Sequence, residues 1–240
     1  MSTLSIERRF CGPPGCAHGG YLSGMLANHS NRQLRIRLLQ PVPLQVALEL
    51  SAADADGLEL RLGAQRFARC YADELQLQVP PAPSYLEALE ASRGFPGFAR
   101  HAFPACFACG TQRARGDGLR IFPGLLPGTA RVAATWVPDR SLAATHGTAQ
   151  GKIRPEFMAA ALDCPGYYAA RQDAVPMLLG EFTAHVDRCV HVDEPCIVIG
   201  WKIGGSGRKY QVGTALFDED GELCARASAV WIEPRAAGTG

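Results

Sequence analysis

The sequence is short of the features that most quickly narrow a protein's role. It has no apolar run of about eighteen residues, so no transmembrane helix and no membrane partner are expected. Its formal net charge is only +1 over 240 residues, which gives no global pull toward nucleic acid or an acidic surface. The basic cluster Arg113, Arg115 and Arg120 is too small to change that, so no nucleic acid is expected as partner. No Gly-x-Ser-x-Gly elbow occurs, which argues against a serine hydrolase of the α/β type. Walker and Rossmann glycine patterns are missing too, and no cofactor is expected. The N-terminal stretch MSTLSIERRFCGPPG has no apolar signal core, so a cytoplasmic location is expected. What is present is ordinary for a globular chain: 47% apolar and 20% charged residues. The nine cysteines are scattered and odd in number, and read as mostly reduced thiols.

Two parts of similar build flank a Pro/Gly-rich stretch. The expected organisation is an N-terminal half over 1–78, a connector over 79–117, a C-terminal half over 118–234 and a disordered tail over 235–240. Within the connector, Ser84 caps a short helix to about Ala91. In the first half, a strand over Leu4 to Arg9 leads through a Gly/Pro loop to a helix near His18. Extended runs follow at 34–39, 44–50, 58–62 and 67–77, with LRIRLL and LELRL alternating at period two. The second half repeats the order: strand material at 119–122 and 130–137, then a helix from about Pro155. Extended runs follow at 178–186, 196–203, 209–217 and 223–232, with a hairpin turn at Asp218 to Gly221. Each half therefore reads β-α-β-β-β-β, an α+β layer architecture.

One residue stands out against this pattern. In RPEFMAAALDC, Arg154 to Cys164, the acid Asp163 is expected deep in an otherwise apolar helix. Asp is a poor helix-interior residue and is rarely buried without a partner. Pro165 suggests that the regular helix kinks or ends nearby. Asp163 is either a structural hydrogen bonder or a group that does chemistry.

With these motifs, the chain resembles the hotdog-fold acyl-CoA thioesterase superfamily, in a tandem double-hotdog form. Gly12 to Gly20, GPPGCAHGG, looks like the His-Gly-Gly entrance to the central helix of phenylacetyl-CoA-type thioesterases. That group carries an acid nine residues after the histidine. Here the position is Ala27, with Asn28 beside it. The second half shows the reverse: nine residues before Asp163 stand Arg154, Pro155 and Glu156. Ala105 to Gln112, ACFACGTQ, also resembles a Cys-Phe-x-Cys-Gly segment of some single hotdog domains. The resemblance covers roughly 1–78 and 105–234.

The resemblance implies hydrolysis of a thioester at one site shared between the halves. Nine residues of helix span about 13 Å, too far for one thioester carbonyl to touch both ends. The N-terminus of one helix and the acid of an antiparallel neighbour can meet, so Asp163 is expected beside His18, Gly19 and Gly20. Asp163 and His18 are then the catalytic candidates, and Gly19 and Gly20 the oxyanion binders. Tyr21, Asn28 and Tyr167 are candidates for the acyl pocket, although residues such as Tyr167 and Tyr168 are more often core than pocket. Arg113, Arg115, Arg208 and Lys209 are candidates for CoA phosphates. The implied partner is an acyl-CoA or related thioester, with the chain acting as a monomer or as a homodimer. A non-catalytic acyl-ligand binder and a hotdog hydratase or dehydratase are the alternatives. Cys106-x-x-Cys109 has half the spacing of a zinc site, with Cys11 and Cys16 a second pair of unusual spacing. No metal is expected.

Overall fold

A computed structural model describes residues 2–53, 57–173 and 175–235 of the chain. The tail expected to be disordered falls, from residue 236 on, outside these residues. The first part runs β1 (Ser2–Leu4), α1 (Gly19–Ala27), β2 (Leu34–Leu38), β3 (Leu48–Ala53), β4 (Gly57–Leu62) and β5 (Gln65–Ala72). Then come α2 (Tyr85–Arg93), β6 (Gly124–Leu125) and β7 (Val132–Trp136). The chain continues through α3 (Pro155–Ala161), α4 (Asp163–Ala170), β8 (Leu178–Val186), β9 (Cys196–Ser206), β10 (Lys209–Phe217) and β11 (Leu223–Ile232).

Among the described residues, the strands form one sheet in the order β1-β3-β4-β5-β2-β8-β11-β10-β9-β7-β6. Read outward from the centre, β2-β5-β4-β3-β1 on one side has its counterpart in β8-β11-β10-β9-β7 on the other. The two runs join where β2 and β8 pair antiparallel, with Ile36 opposite Phe182. Both residues are buried, as period-two alternation requires of the core face. Strands β9 and β10 place residues on two separate apolar clusters. Cys196, Val198, Val212 and Leu216 face the main core, whereas Ile197, Ile199, Ala215 and Phe217 face α2. The sheet is therefore covered on both faces at this end. Among the described residues, no helix is long and apolar enough to cross a membrane.

Local sequence explains the helices. Ser84 and Glu87 form a capping box: Glu87 N–H donates to Ser84 Oγ at 3.3 Å, and Ser84 N–H to Glu87 Oε2 at 2.8 Å. Pro155 opens α3, where a missing N–H costs nothing. Helix α3 is apolar almost all round, as befits a central helix. Phe157, Met158, Ala160 and Ala161 are wholly buried. Burying a side chain such as Phe157 is worth about 1.5–3 kcal/mol.

Three local expectations need correction. Strand β1 stops at Leu4, and Arg8–Phe10 turns as a 3-10 helix. Residues 119–122 form no strand of the sheet. Leu119 N–H and Ile121 N–H bond instead to the carbonyls of Phe107 and Ala108, at 2.9 Å each. Asp163 does not lie inside a continuous helix. Helix α3 ends at Ala161, Leu162 sits at φ −84° and ψ −8°, and Asp163 begins α4. Pro165 lacks the N–H that would have bonded back four residues to Ala161, so the helix breaks there.

Helices α1 and α3 cross with almost no side chain between them. A Cβ on Gly20 would lie 2.6 Å from Asp163 Cβ, and one on Gly24 would lie 2.5 Å from Glu156 Cα. Because Gly20 meets Asp163 and Gly24 meets Glu156, the helices run in opposite directions. The Gly24 contact is with backbone, which has little room to yield. Gly24→Ala is expected to lower stability by about 1–3 kcal/mol. Urea denaturation with an unchanged midpoint and slope would contradict this close crossing.

Candidate functional site

The crossing of α1 with the α3–α4 junction brings Asp163 to the start of α1. His18 is the N-cap of α1, with Nδ1 accepting from Tyr21 N–H at 3.2 Å. Gly20 N–H donates to Asp163 Oδ2 at 2.7 Å, across 143 residues of sequence. His18 Nε2 lies 3.2 Å from the same oxygen. With Nδ1 used as an acceptor, a neutral His18 carries its proton on Nε2, directed toward that carboxylate. His18 and Asp163 are both 2% exposed. Asp163 Oδ1 is buried and has no hydrogen-bond partner in the protein.

Electrostatics at this point are opposed rather than neutral. Burial pushes Asp163 above the ordinary carboxylate range, although His18 and the Gly20 N–H pull it down. Burial disfavours a charge on His18, but Asp163 and the sulfur of Cys106 outweigh it and hold its pKa above the usual histidine value.

Three thiols stand beside this pair. Cys106 Sγ is 3.6 Å from Cys164 Sγ, and Cys164 Sγ is 3.6 Å from His18 Nε2. The Cys109 thiol lines the same cavity as these residues and interacts electrostatically with Cys106 and Cys164. Contacts with Cys109 and Cys164 hold Cys106 well below the ordinary thiol value. Burial raises Cys109, and the contacts with Cys106 and Cys109 raise Cys164. His18, Cys106 and Cys164 have ligand atoms within 4.8 Å of one another, so these residues are placed to hold a metal ion. The sequence signal for this was Cys106-x-x-Cys109. Its partners were hidden, because Cys164 and His18 come from distant segments.

A cavity of about 250 Å³ opens onto the group. His18, Gly19, Asp163, Cys106, Cys109 and Cys164 form its polar end, and Leu38, Val42, Phe103, Met177, Leu179 and Trp231 are among its apolar walls. Tyr167 and Tyr168 line it as well. Tyr167 donates its hydroxyl proton to Val175 O at 2.6 Å, which fixes the ring.

Several expected residues sit elsewhere. Gly20 lends its N–H to Asp163, so it is not free to receive a substrate oxygen; Gly19, the first residue of α1, lines the cavity. Tyr21 stacks on Phe10 at 4.2 Å between centroids and packs on Phe157 at 5.5 Å, inside the aromatic core rather than on the cavity. Asn28 lies at the far end of the helix pair, donating to Glu156 Oε2 at 3.0 Å. Of the basic residues, Arg208 lines the cavity. Arg113 is engaged by Asp117 at 2.9 Å and by Cys11 Sγ at 3.0 Å.

The far end is the counterpart of the site by symmetry. There Glu156 takes the Asn28 bond and an ion pair with Arg154 at 3.2 Å. The space left beside it is only about 50 Å³. Polar groups that are open to a cavity at one end are paired with each other at the other.

No family model matches the sequence, and no curated protein matches it. Solved structures do match the fold. The tesB protein of Mycobacterium avium subs paratuberculosis is similar with TM-score 0.60 and 12% identity, covering 97% of this chain and 92% of that one. The acyl-CoA thioesterase II TesB2 of Mycobacterium marinum is similar with TM-score 0.58 and 12% identity, covering 98% and 93%. A conserved protein of unknown function with hot dog fold from Alicyclobacillus acidocaldarius gives TM-score 0.56 and 12% identity, covering 98% and 93%. The chain thus has a hotdog fold along nearly its whole length.

The far-end pairing has a measurable consequence. Asn28→Ala removes the 3.0 Å donor from a buried carboxylate oxygen. A loss of about 1–3 kcal/mol in chemical denaturation is expected. No loss would mean that this bond contributes nothing to the helix pair.

Proposed function

We propose that the chain hydrolyses an acyl-CoA-type thioester at one composite site, built from the start of α1 in an N-terminal hotdog half and from Asp163 in a C-terminal half. The observation that carries this reading is Asp163 Oδ1. It is a buried carboxylate oxygen with no protein partner, on a residue lining a largely apolar cavity. Leaving such an atom unpaired costs about 1–3 kcal/mol or more, which makes sense where a ligand or water is to meet it.

The steps follow from the geometry. The acyl chain lies along the apolar walls. The thioester carbonyl oxygen points at the N-terminus of α1, where the Gly19 N–H and the helix dipole favour developing negative charge. Asp163 Oδ1 takes a proton from water as that water attacks the carbonyl carbon. The carbon–sulfur bond then breaks, and the departing thiolate takes the proton held on Asp163, giving the free thiol and the carboxylic acid and restoring the Asp163 carboxylate. Gly20 N–H and His18 hold the other oxygen, Oδ2, so that Oδ1 keeps its aim. Here His18 is a positioning residue. Tyr167 and Tyr168 bound the acyl pocket, and Arg208 stands where a CoA phosphate would pass.

The names of the similar structures favour thioester chemistry over the hydratase alternative. The binder alternative makes a different forecast: acyl-CoA raises the melting temperature without turnover. The test is thiol release from a panel of acyl-CoA esters. Asp163→Asn keeps the size of the side chain and is expected to reduce kcat by at least ~10²-fold. Wild-type turnover in that variant, or no turnover in the native chain with any ester, would overturn the reading.

A further inference from the structure

The hydrolytic reading uses Asp163, Gly19 and His18 but leaves the thiols beside them without a task. We propose that Cys106 is a site of oxidation by a hydroperoxide, with Cys164 as the thiol that resolves it into a disulfide. The chemistry of this pair does not depend on the thioester reading.

Distance selects the pair. Cys106 Sγ and Cys164 Sγ are 3.6 Å apart, already in van der Waals contact. A disulfide of about 2.05 Å asks them to approach by about 1.5 Å more. The backbones that carry them are held. Cys106 N–H donates to Phe103 O at 2.8 Å, and Gly110 N–H donates to Cys106 O at 2.9 Å. Cys164 sits in the first turn of α4. Rotation of the two side chains about Cα–Cβ therefore supplies the approach.

An oxidant can reach the sulfurs. Cys106 and Cys164 are only 4% and 5% exposed, yet both line the cavity of about 250 Å³. A water molecule needs about 10–15 Å³ of such space, so hydrogen peroxide, two oxygens long, enters with room to spare. The thiolate rather than the thiol is the nucleophile. Contacts with Cys109 and Cys164, and the charge of His18, hold Cys106 well below the ordinary thiol value, whereas Cys109 and Cys164 are raised. Cys106 is thus the attacking sulfur and Cys164 the resolving one.

The reaction runs in two steps. The Cys106 thiolate attacks one peroxide oxygen; an S–O bond forms as the O–O bond breaks. The departing oxygen takes up a proton, matching the one Cys106 had given up, and leaves as water. Cys106 is now a sulfenic acid, oxidised by two electrons as the peroxide is reduced. The Cys164 sulfur then attacks the Cys106 sulfur; the S–S bond forms, the S–O bond breaks, and hydroxide leaves as water with the Cys164 proton. In sum, two thiols and one hydrogen peroxide give one disulfide and two waters.

Cys164 Sγ is 3.6 Å from His18 Nε2, and Cys164 follows Asp163 in the chain. Drawing that sulfur to Cys106 ties the 103–110 turn to α4 at the polar end of the cavity. On the thioester reading, on which this consequence alone rests, peroxide switches hydrolysis off and a thiol reductant restores it.

The test treats the full chain, reduced with dithiothreitol and desalted, with hydrogen peroxide. Its intact mass and its peptides, with free thiols alkylated, are then measured. A mass lower by about 2 Da and a peptide linking Cys106 to Cys164 are expected, both reversed by dithiothreitol. Cys106→Ser should show no such loss, whereas Cys70→Ala, altering a buried thiol elsewhere in the core, should keep it. Thiols that all remain open to alkylation after peroxide would overturn the proposal. So would a link from Cys106 to Cys109 instead, or oxidation of Cys106 beyond the sulfenic acid with no link formed. Acyl-CoA turnover by the same linked sample should fall and recover with dithiothreitol; undiminished turnover would overturn the switch. Absence of turnover before any oxidation is a failure of the thioester reading, which the switch shares and the linkage does not.

Discussion

The structure turns on one hydrogen bond between helices: Gly20 N–H to Asp163 Oδ2 at 2.7 Å. It can form only where two backbones approach closely, which glycine at positions 20 and 24 allows. It also needs the break at Leu162, which places Asp163 at the head of a new helix. A charged side chain 2% exposed is costly unless satisfied, and this bond with His18 satisfies one of its oxygens. The other oxygen is left to the cavity. Packing, charge and the proposed chemistry thus meet in one carboxylate.

The pseudo-symmetry of the sheet makes the same point from the other side. Strands β2 and β8 join two runs of matching order, so the helix pair has two equivalent ends. At one end Asn28, Glu156 and Arg154 satisfy one another beside a space of about 50 Å³. At the other, Asp163 faces about 250 Å³ of largely apolar cavity. The two ends differ in where their polar atoms find partners.

Much of the fold was legible in the sequence because period two and the turn residues act locally. The spans 178–186, 209–217 and 223–232 coincide with strands β8, β10 and β11. The errors came where tertiary pairing overrode local pattern. Residues 119–122 look like a strand, but bond to the Phe107–Ala108 backbone instead. The proximity of His18 and Asp163 followed from the spacing of two incomplete motifs read against antiparallel helices. The use of Gly20, the burial of Tyr21 and the position of Asn28 did not follow, since a motif names residues without saying which way each one faces. Cys164 was the least visible of all. It is a lone cysteine in its own segment, and its thiol partners lie on a segment more than fifty residues away.

In the proposed reaction a thioester carbonyl sits between the start of α1 and Asp163 Oδ1. A crystal structure with a non-hydrolysable acyl-CoA analogue, its thioester replaced by a ketone, tests this most directly. The ketone oxygen is expected within about 3 Å of the Gly19 nitrogen, with its carbon facing Asp163. An analogue bound with its carbonyl away from Asp163, or at the Glu156 end, would contradict it.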